Sequence, residues 1–253
     1  MKGDDSDMED YTPKEGKAHY TAKQKLENFW YHYKWHSIIC LFVLIAVIIC
    51  SLQFCSKSSY DSHLMYAGPY DATRGEVLDM QSSLNSICGD LDGDGKTDIS
   101  VTSLFLVTDS QAEEINSRGE GYKVNGQVVS DNSKIFDQNV QTGEIVVFLL
   151  DPSRFNMLYS DKADECFLLP IKDYLPSAGS DGFEYVNDFG IYLKSTGAAT
   201  LPGLCNLPDD TILCIRAKGS LTSMFKKKTA EKNHASGEAL MRAILSYSVP
   251  ENK

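Results

Sequence analysis

The chain has 253 residues, 42% of them apolar, and a formal net charge of −11. That apolar content excludes a disordered chain, and the presence of only one long apolar run excludes a many-span transporter. The acidity argues against nucleic acid as a partner, because phosphate is repelled.

Charge and cysteine are unevenly spread. Residues 1–56 carry 6 basic and 7 acidic side chains, whereas residues 57–253 carry 18 and 28. Three of the seven cysteines, Cys40, Cys50 and Cys55, lie in the apolar run. The boundary between the two regions is a run without charge, Ser37 to Cys55. As a helix these 19 residues span ~28 Å, close to the ~30 Å hydrocarbon core of a bilayer. Phe29, Trp30, Tyr31, Tyr33 and Trp35 crowd its N-terminal edge, where amphipathic rings favour the headgroup layer. Lys17, Lys23, Lys25 and Lys34 precede the run, and only Lys57 follows it closely. The positive-inside bias therefore predicts a cytoplasmic N-terminus, a single crossing of the lipid bilayer and an extracellular C-terminal domain.

The predicted order is a disordered tail (1–20), an interfacial segment (21–36), a transmembrane helix (37–55), a linker (56–62) and an α/β domain (63–253). A cleaved leader fits poorly, because more than 35 residues with an acidic start make a poor leader. Lipidation at Cys55 fits poorly too, because Phe54 stands where such signals carry a small residue. His32 and His36 share a helix face but have no third ligand nearby, so they read as part of the aromatic belt.

Within the domain, His63–Ala67 reads as a buried strand and Thr73–Cys88 as a helix by apolar spacing. Ile99–Val107 is a strand by β-branched content, and Asp109–Ser117 a short helix. Asn125-Gly126 between apolar residues predicts a tight hairpin over Tyr122–Val129. A helix over Asn132–Gln141 follows, then a continuous apolar strand to Leu150. Asp151-Pro152 opens another helix, with Asp as cap and Pro at the first position. Phe189–Leu193 and Thr211–Ala217 read as strands and Ser236–Tyr247 as an amphipathic helix. Continuous apolar strands separated by helices predict an α/β fold: a mixed, mostly parallel sheet with helices on both faces.

One motif carries specific chemistry. Residues 90–98 read D-L-D-G-D-G-K-T-D. The spacing curls Asp90, Asp92, Asp94 and Asp98, with the carbonyl of Lys96, around one centre, and Gly95 permits the sharp bend. Oxygen ligands without His or Cys select calcium. A structural role is expected, clamping the helix at 73–88 to the strand at 99–107. The loop resembles the calcium loops of EF-hand, dockerin and integrin-propeller proteins. An EF-hand places a bidentate Glu at its twelfth position, where this chain has Val101.

Weaker patterns carry less. Ser130-Asp131-Asn132, Lys194-Ser195-Thr196-Gly197 and Ser223-Met224-Phe225-Lys226 are fragments known from penicillin-binding enzymes, but in the wrong order. Only His63 and His234 lie beyond residue 57, which argues against zinc or Ser-His chemistry. Cys88, Cys166, Cys205 and Cys214 could form two disulfides, Cys205–Cys214 and Cys88–Cys166, or remain buried thiols. The basic stretch from Arg216 to Lys232 reads as a solvated loop.

L-M-Y-A-G-P, G-E-I-V-V-F-L-L-D-P and F-L-L-P-I-K-D-Y-L, followed by D-F-G-I-Y-L and T-I-L-C-I-R, resemble the domain of type 2 solute-binding proteins in reduced form. The whole chain resembles small single-pass membrane-anchored proteins of Firmicutes-type bacteria. The resemblance implies a non-enzymatic, calcium-stabilised module that binds a small ligand or an envelope protein. Its site is expected at the strand C-termini, near Gly68, Tyr70 and Asp151. An envelope hydrolase using carboxylates or calcium and a scaffold subunit of a membrane complex are the alternatives.

Overall fold

A computed structural model describes residues 21–55, 60–91, 93–119, 123–160, 166–175, 182–218 and 227–249. The chain divides into two units, Met1–Ser58 and Ser59–Lys253. The expected tail at 1–20 lies outside the described residues.

In the first unit a single helix, α1 (Ala22–Cys55), joins the interfacial segment to the span without a break. Its stretch Phe29–Ser51 is long and apolar enough to cross a membrane. Phe29 stacks on Tyr33, and Tyr31 and Tyr33 meet His32 and His36 edge-on. Both histidines thus pack against aromatic rings of the same helix.

The second unit is an α/β domain. Its elements are β1 (Ser62–Gly68), α2 (Arg74–Ile87), β2 (Ile99–Phe105), α3 (Asp109–Ser117), α4 (Gly126–Thr142), β3 (Val147–Leu150) and α5 (Pro152–Leu158). They are followed by β4 (Tyr185–Asn187), β5 (Gly190–Tyr192), β6 (Ile212–Ile215) and α6 (Lys227–Ser246), with short 3₁₀ turns between 193 and 206. The sheet runs β2-β1-β3-β6-β5-β4.

The sheet is mixed, as expected, but its balance differs from the expectation. β1 pairs in parallel with β2 and β3, whereas the β3–β6, β6–β5 and β5–β4 pairs are antiparallel. The parallel half is built by crossovers through α2 and through α3–α4. In the other half β4 and β5 are joined by a two-residue turn at Asp188–Phe189, which only antiparallel pairing permits, whereas residues 193–211 separate β5 from β6.

Side-chain alternation sorts the core into two layers. Leu64, Tyr66, Val147, Leu149, Leu213 and Ile215 face α2 and α6, where Met80, Leu84, Leu240 and Ile244 meet them. Met65, Ala67, Phe148, Leu150, Ile212 and Cys214 face α4 and α5, against Phe136, Val140, Phe155 and Leu158. Burial on both faces explains why the strands read as unbroken apolar runs. Burying each Leu or Ile contributes roughly 1.5–3 kcal/mol.

Two expectations are corrected, and one open alternative is decided. Asn125-Gly126 makes no hairpin: the Asn125 side chain accepts the N–H groups of Gln127 (3.0 Å) and Val128 (3.4 Å) and caps α4. A short polar side chain serves a turn and a helix start alike, and the helix-forming residues that follow decide between them. The linker does not reach residue 62, because Asp61 and Ser62 are both buried. Of the two alternatives for the four cysteines beyond residue 57, the structure has free thiols. Cys214 is fully buried toward α4 and α5, while Cys205 is exposed beside Asn206.

Candidate functional site

The Asp-rich loop follows α2, whose C-terminal Asn85 accepts the N–H of Ile99 at 2.7 Å and so pins the start of β2. Within the loop the Asp90 carboxylate accepts the N–H groups of Gly93 (2.6 Å) and Gly95 (2.7 Å), and Asp94 accepts that of Lys96 (2.8 Å). Gly93 and Gly95 turn through φ of +82° and +85°, a region other residues adopt at a cost. The backbone thus curls around Asp90. Among the described residues no three acidic, His or Cys side chains converge. Asp92 lies outside the described residues.

The loop is tied to the sheet by a residue the sequence reading assigned to the linker. Asp61 is 4% exposed. Its Oδ1 accepts the N–H of Leu91 (2.9 Å), its Oδ2 that of Asp98 (2.8 Å), and its own N–H donates to the Asp98 carbonyl (2.8 Å). One carboxylate therefore joins both ends of the loop to the start of β1. Nothing in a Tyr-Asp-Ser stretch before an apolar run signals this role.

The second candidate region is the carboxyl end of the parallel strands. The chain leaves β1 by α2 on one face to reach β2, and leaves β2 by α3 and α4 on the other face to reach β3. Connections that diverge in this way open a crevice beside the central strand. Gly68 and Asp151 sit together there, behind the surface. The N–H of Asp151 donates to the Ala67 carbonyl at 3.1 Å, and its carboxylate caps α5 by accepting the N–H of Arg154 at 3.0 Å. Burial pushes the Asp151 carboxyl up, and the backbone N–H groups of Arg154 and Ser153 oppose that shift.

Tyr70 reaches the surface. Its N–H donates to the Tyr66 hydroxyl at 3.1 Å, and its own hydroxyl donates to Glu76 Oε1. Glu76 also accepts the Thr73 N–H and hydroxyl (both 2.8 Å) and the Asn206 amide (2.9 Å), while the Thr73 hydroxyl accepts the Glu76 N–H in return. The Thr-x-x-Glu spacing is the readable mark of this capping box. The Tyr70 bond is the first cause holding Glu76 down at about 2, followed by the Thr73 bonds, and the same bond pushes Tyr70 up to about 12.

This network gives a pH prediction. A carboxyl depressed in the folded state contributes stability that is complete above its unfolded value of about 4.3 and is lost as pH falls toward the folded value. Denaturant midpoints taken from pH 7 to pH 2.5 should fall more steeply for the native chain than for Glu76→Gln, with the difference opening below about pH 4.5.

Tyr70 forms one wall of a crevice of about 500 Å³. Pro69, Tyr70 and Asp71 line it from the β1–α2 connection, and Phe105 from the end of β2. Ile115, Arg118, Lys123, Val124, Asn125 and Val128 line it from α3, α4 and their connection. A second cavity of about 510 Å³ lies between α3, α4 and α5, where Asp109, Asp137, Lys134 and Arg154 meet Ser130 and Ser133. Of the three predicted ligand residues, only Tyr70 lines either of these cavities. Phe105, Ile115, Val124 and Val128 were not singled out in the sequence, because isolated apolar residues at strand and helix ends carry no signal of their own.

Comparison with known proteins finds no matching family model, no matching curated protein and no matching solved structure.

Proposed function

We propose that the chain is a single-pass membrane-anchored binding module, with a cytoplasmic N-terminus and an extracellular α/β domain that takes a small ligand in the crevice beside Tyr70. The observation that carries this reading is the crevice itself: an aromatic and aliphatic wall with a polar rim, at the carboxyl end of the parallel strands. Tyr70 is held at both its backbone and its hydroxyl, so little ordering cost falls on binding. A hydrolase would use Asp109 and Asp137 of the second cavity, but both are exposed. Acid catalysis by a carboxyl pair needs one member kept protonated by a low-dielectric setting.

The test is mass spectrometry of solutes retained by the full chain purified from its own membrane, beside Val124→Trp, which fills the crevice. A small solute present in the first and missing from the second supports the reading. Equal retention, or none in either, overturns it. Protease accessibility of the domain from the cytoplasmic side would overturn the orientation.

The reading includes calcium in the loop at 90–98, taken by Asp90, Asp92, Asp94, Asp98 and the Lys96 carbonyl. The curl of the backbone around Asp90 supports it, because the N–H groups of Gly93 and Gly95 bond to its carboxylate and fold the loop back on the residue at its first position. With calcium at ~100 times its Kd, the folded state gains ~2.7 kcal/mol, raising Tm by about 5–10 °C over a chelated sample. Equal melting in calcium and chelator contradicts the assignment.

A further inference from the structure

The crevice beside Tyr70 is polarised. Asp71 stands on the β1–α2 side, and Lys123 and Arg118 stand on the α3–α4 side. Arg118 is already paired with Glu114 at 2.8 Å. Asp71 and Lys123 form no ion pair or side-chain hydrogen bond among the described residues. Tyr70, Phe105, Ile115, Val124 and Val128 line the same crevice. An acid on the β1–α2 side, a base on the α3–α4 side and an aromatic and aliphatic lining complement a molecule with an ammonium group at one end, a carboxylate at the other and an apolar body. The two charges of a single amino acid sit on one carbon and leave no chain between them to lie along the apolar residues. A dipeptide spans about 7 Å when extended.

We propose that the crevice binds a short apolar peptide with both ends free, its ammonium at Asp71 and its carboxylate at Lys123. This rests on the reading of the crevice as the ligand site. The apolar wall supplies affinity, and the two charges fix direction and reject blocked ends. Selection against blocked ends distinguishes this site from a groove that takes an internal stretch of a protein.

The experiment is calorimetric titration of the full chain in detergent with leucyl-leucine, its N-acetyl form, its C-terminal amide and free leucine. The dipeptide is expected to bind with a Kd below about 1 mM, and each blocked form about fivefold more weakly. Free leucine should bind more weakly than the dipeptide. Asp71→Asn should abolish the penalty for N-acetylation while keeping that for amidation, and Lys123→Gln should do the reverse. Both residues are exposed, so both variants should melt as the native chain does. No binding at about 10 mM, equal binding of free and blocked forms, or leucine binding as tightly as the dipeptide overturns the proposal. A different solute retained natively and lost in Val124→Trp would overturn it while leaving the crevice as the ligand site.

Discussion

Replacing Asp61 with alanine is expected to destabilise the domain by about 3 kcal/mol, lowering Tm by about 6–12 °C. The carboxylate receives the N–H groups of Leu91 and Asp98 in a setting where Asp61 itself is buried. Hydrogen bonds to a charged acceptor are worth about 1.5–3 kcal/mol each, and alanine leaves both donors without their partner. Asp61→Asn keeps one acceptor oxygen and should lose about half as much. Freed ends would also loosen the loop at 90–98, so the calcium-dependent rise in Tm should shrink in Asp61→Ala. Urea denaturation of the two variants beside the native chain measures the first effect. A change within about 0.5 kcal/mol, the range of ordinary surface substitutions, would contradict the role assigned to Asp61.

Gly203→Ala should cost about 3–4 kcal/mol, the sum of a backbone and a packing term. Gly203 has a φ of +81°, which L side chains rarely adopt. A methyl group there would lie 2.6 Å from the Met80 backbone nitrogen and 2.7 Å from the Glu76 carbonyl oxygen. Both are backbone atoms of α2 and cannot rotate away. The strain would fall on the turn of α2 that carries Glu76, and through Glu76 on Tyr70 and Asn206. The variant should therefore lose both stability and the fixed crevice wall. Equilibrium unfolding measures the stability loss. A stability equal to the native chain's would contradict the close approach of the 203 turn to α2.

Several elements were legible in the sequence for physical reasons. The β1 strand, the β3 strand and the Asp151-Pro152 start of α5 announce themselves through unbroken apolar runs and cap chemistry, which are local signals. Asp109–Ser117 reads as a helix in the sequence with the observed bounds of α3. The antiparallel half was less legible: β4, only three residues long, was missed, because so short a strand leaves too few positions to show alternation. Asn125-Gly126 misled because hairpin turns and helix caps recruit the same residues. The site was legible in place but not in composition. The strand-end rule pointed to Gly68, Tyr70 and Asp151, but whether a side chain lines a crevice or caps a helix behind it depends on its neighbours in space. Arg216 reads as part of a solvated basic loop, yet it is 3% exposed, and its Nε has no hydrogen-bond partner among the described residues. Its guanidinium lies against Gly143 at the C-terminal end of α4, where the helix dipole favours a cation.

The claim on which the account rests is that ligand enters the crevice between the β1–α2 and α3–α4 connections. Methyl-resolved NMR of the full chain in detergent, titrated with a panel of small solutes, tests it most directly. A binding solute should shift the methyl signals of Ile115, Val124 and Val128 together, and leave those of Leu240 and Ile244 on the buried face of α6 unmoved. A solute that binds while those three signals stay still would contradict it.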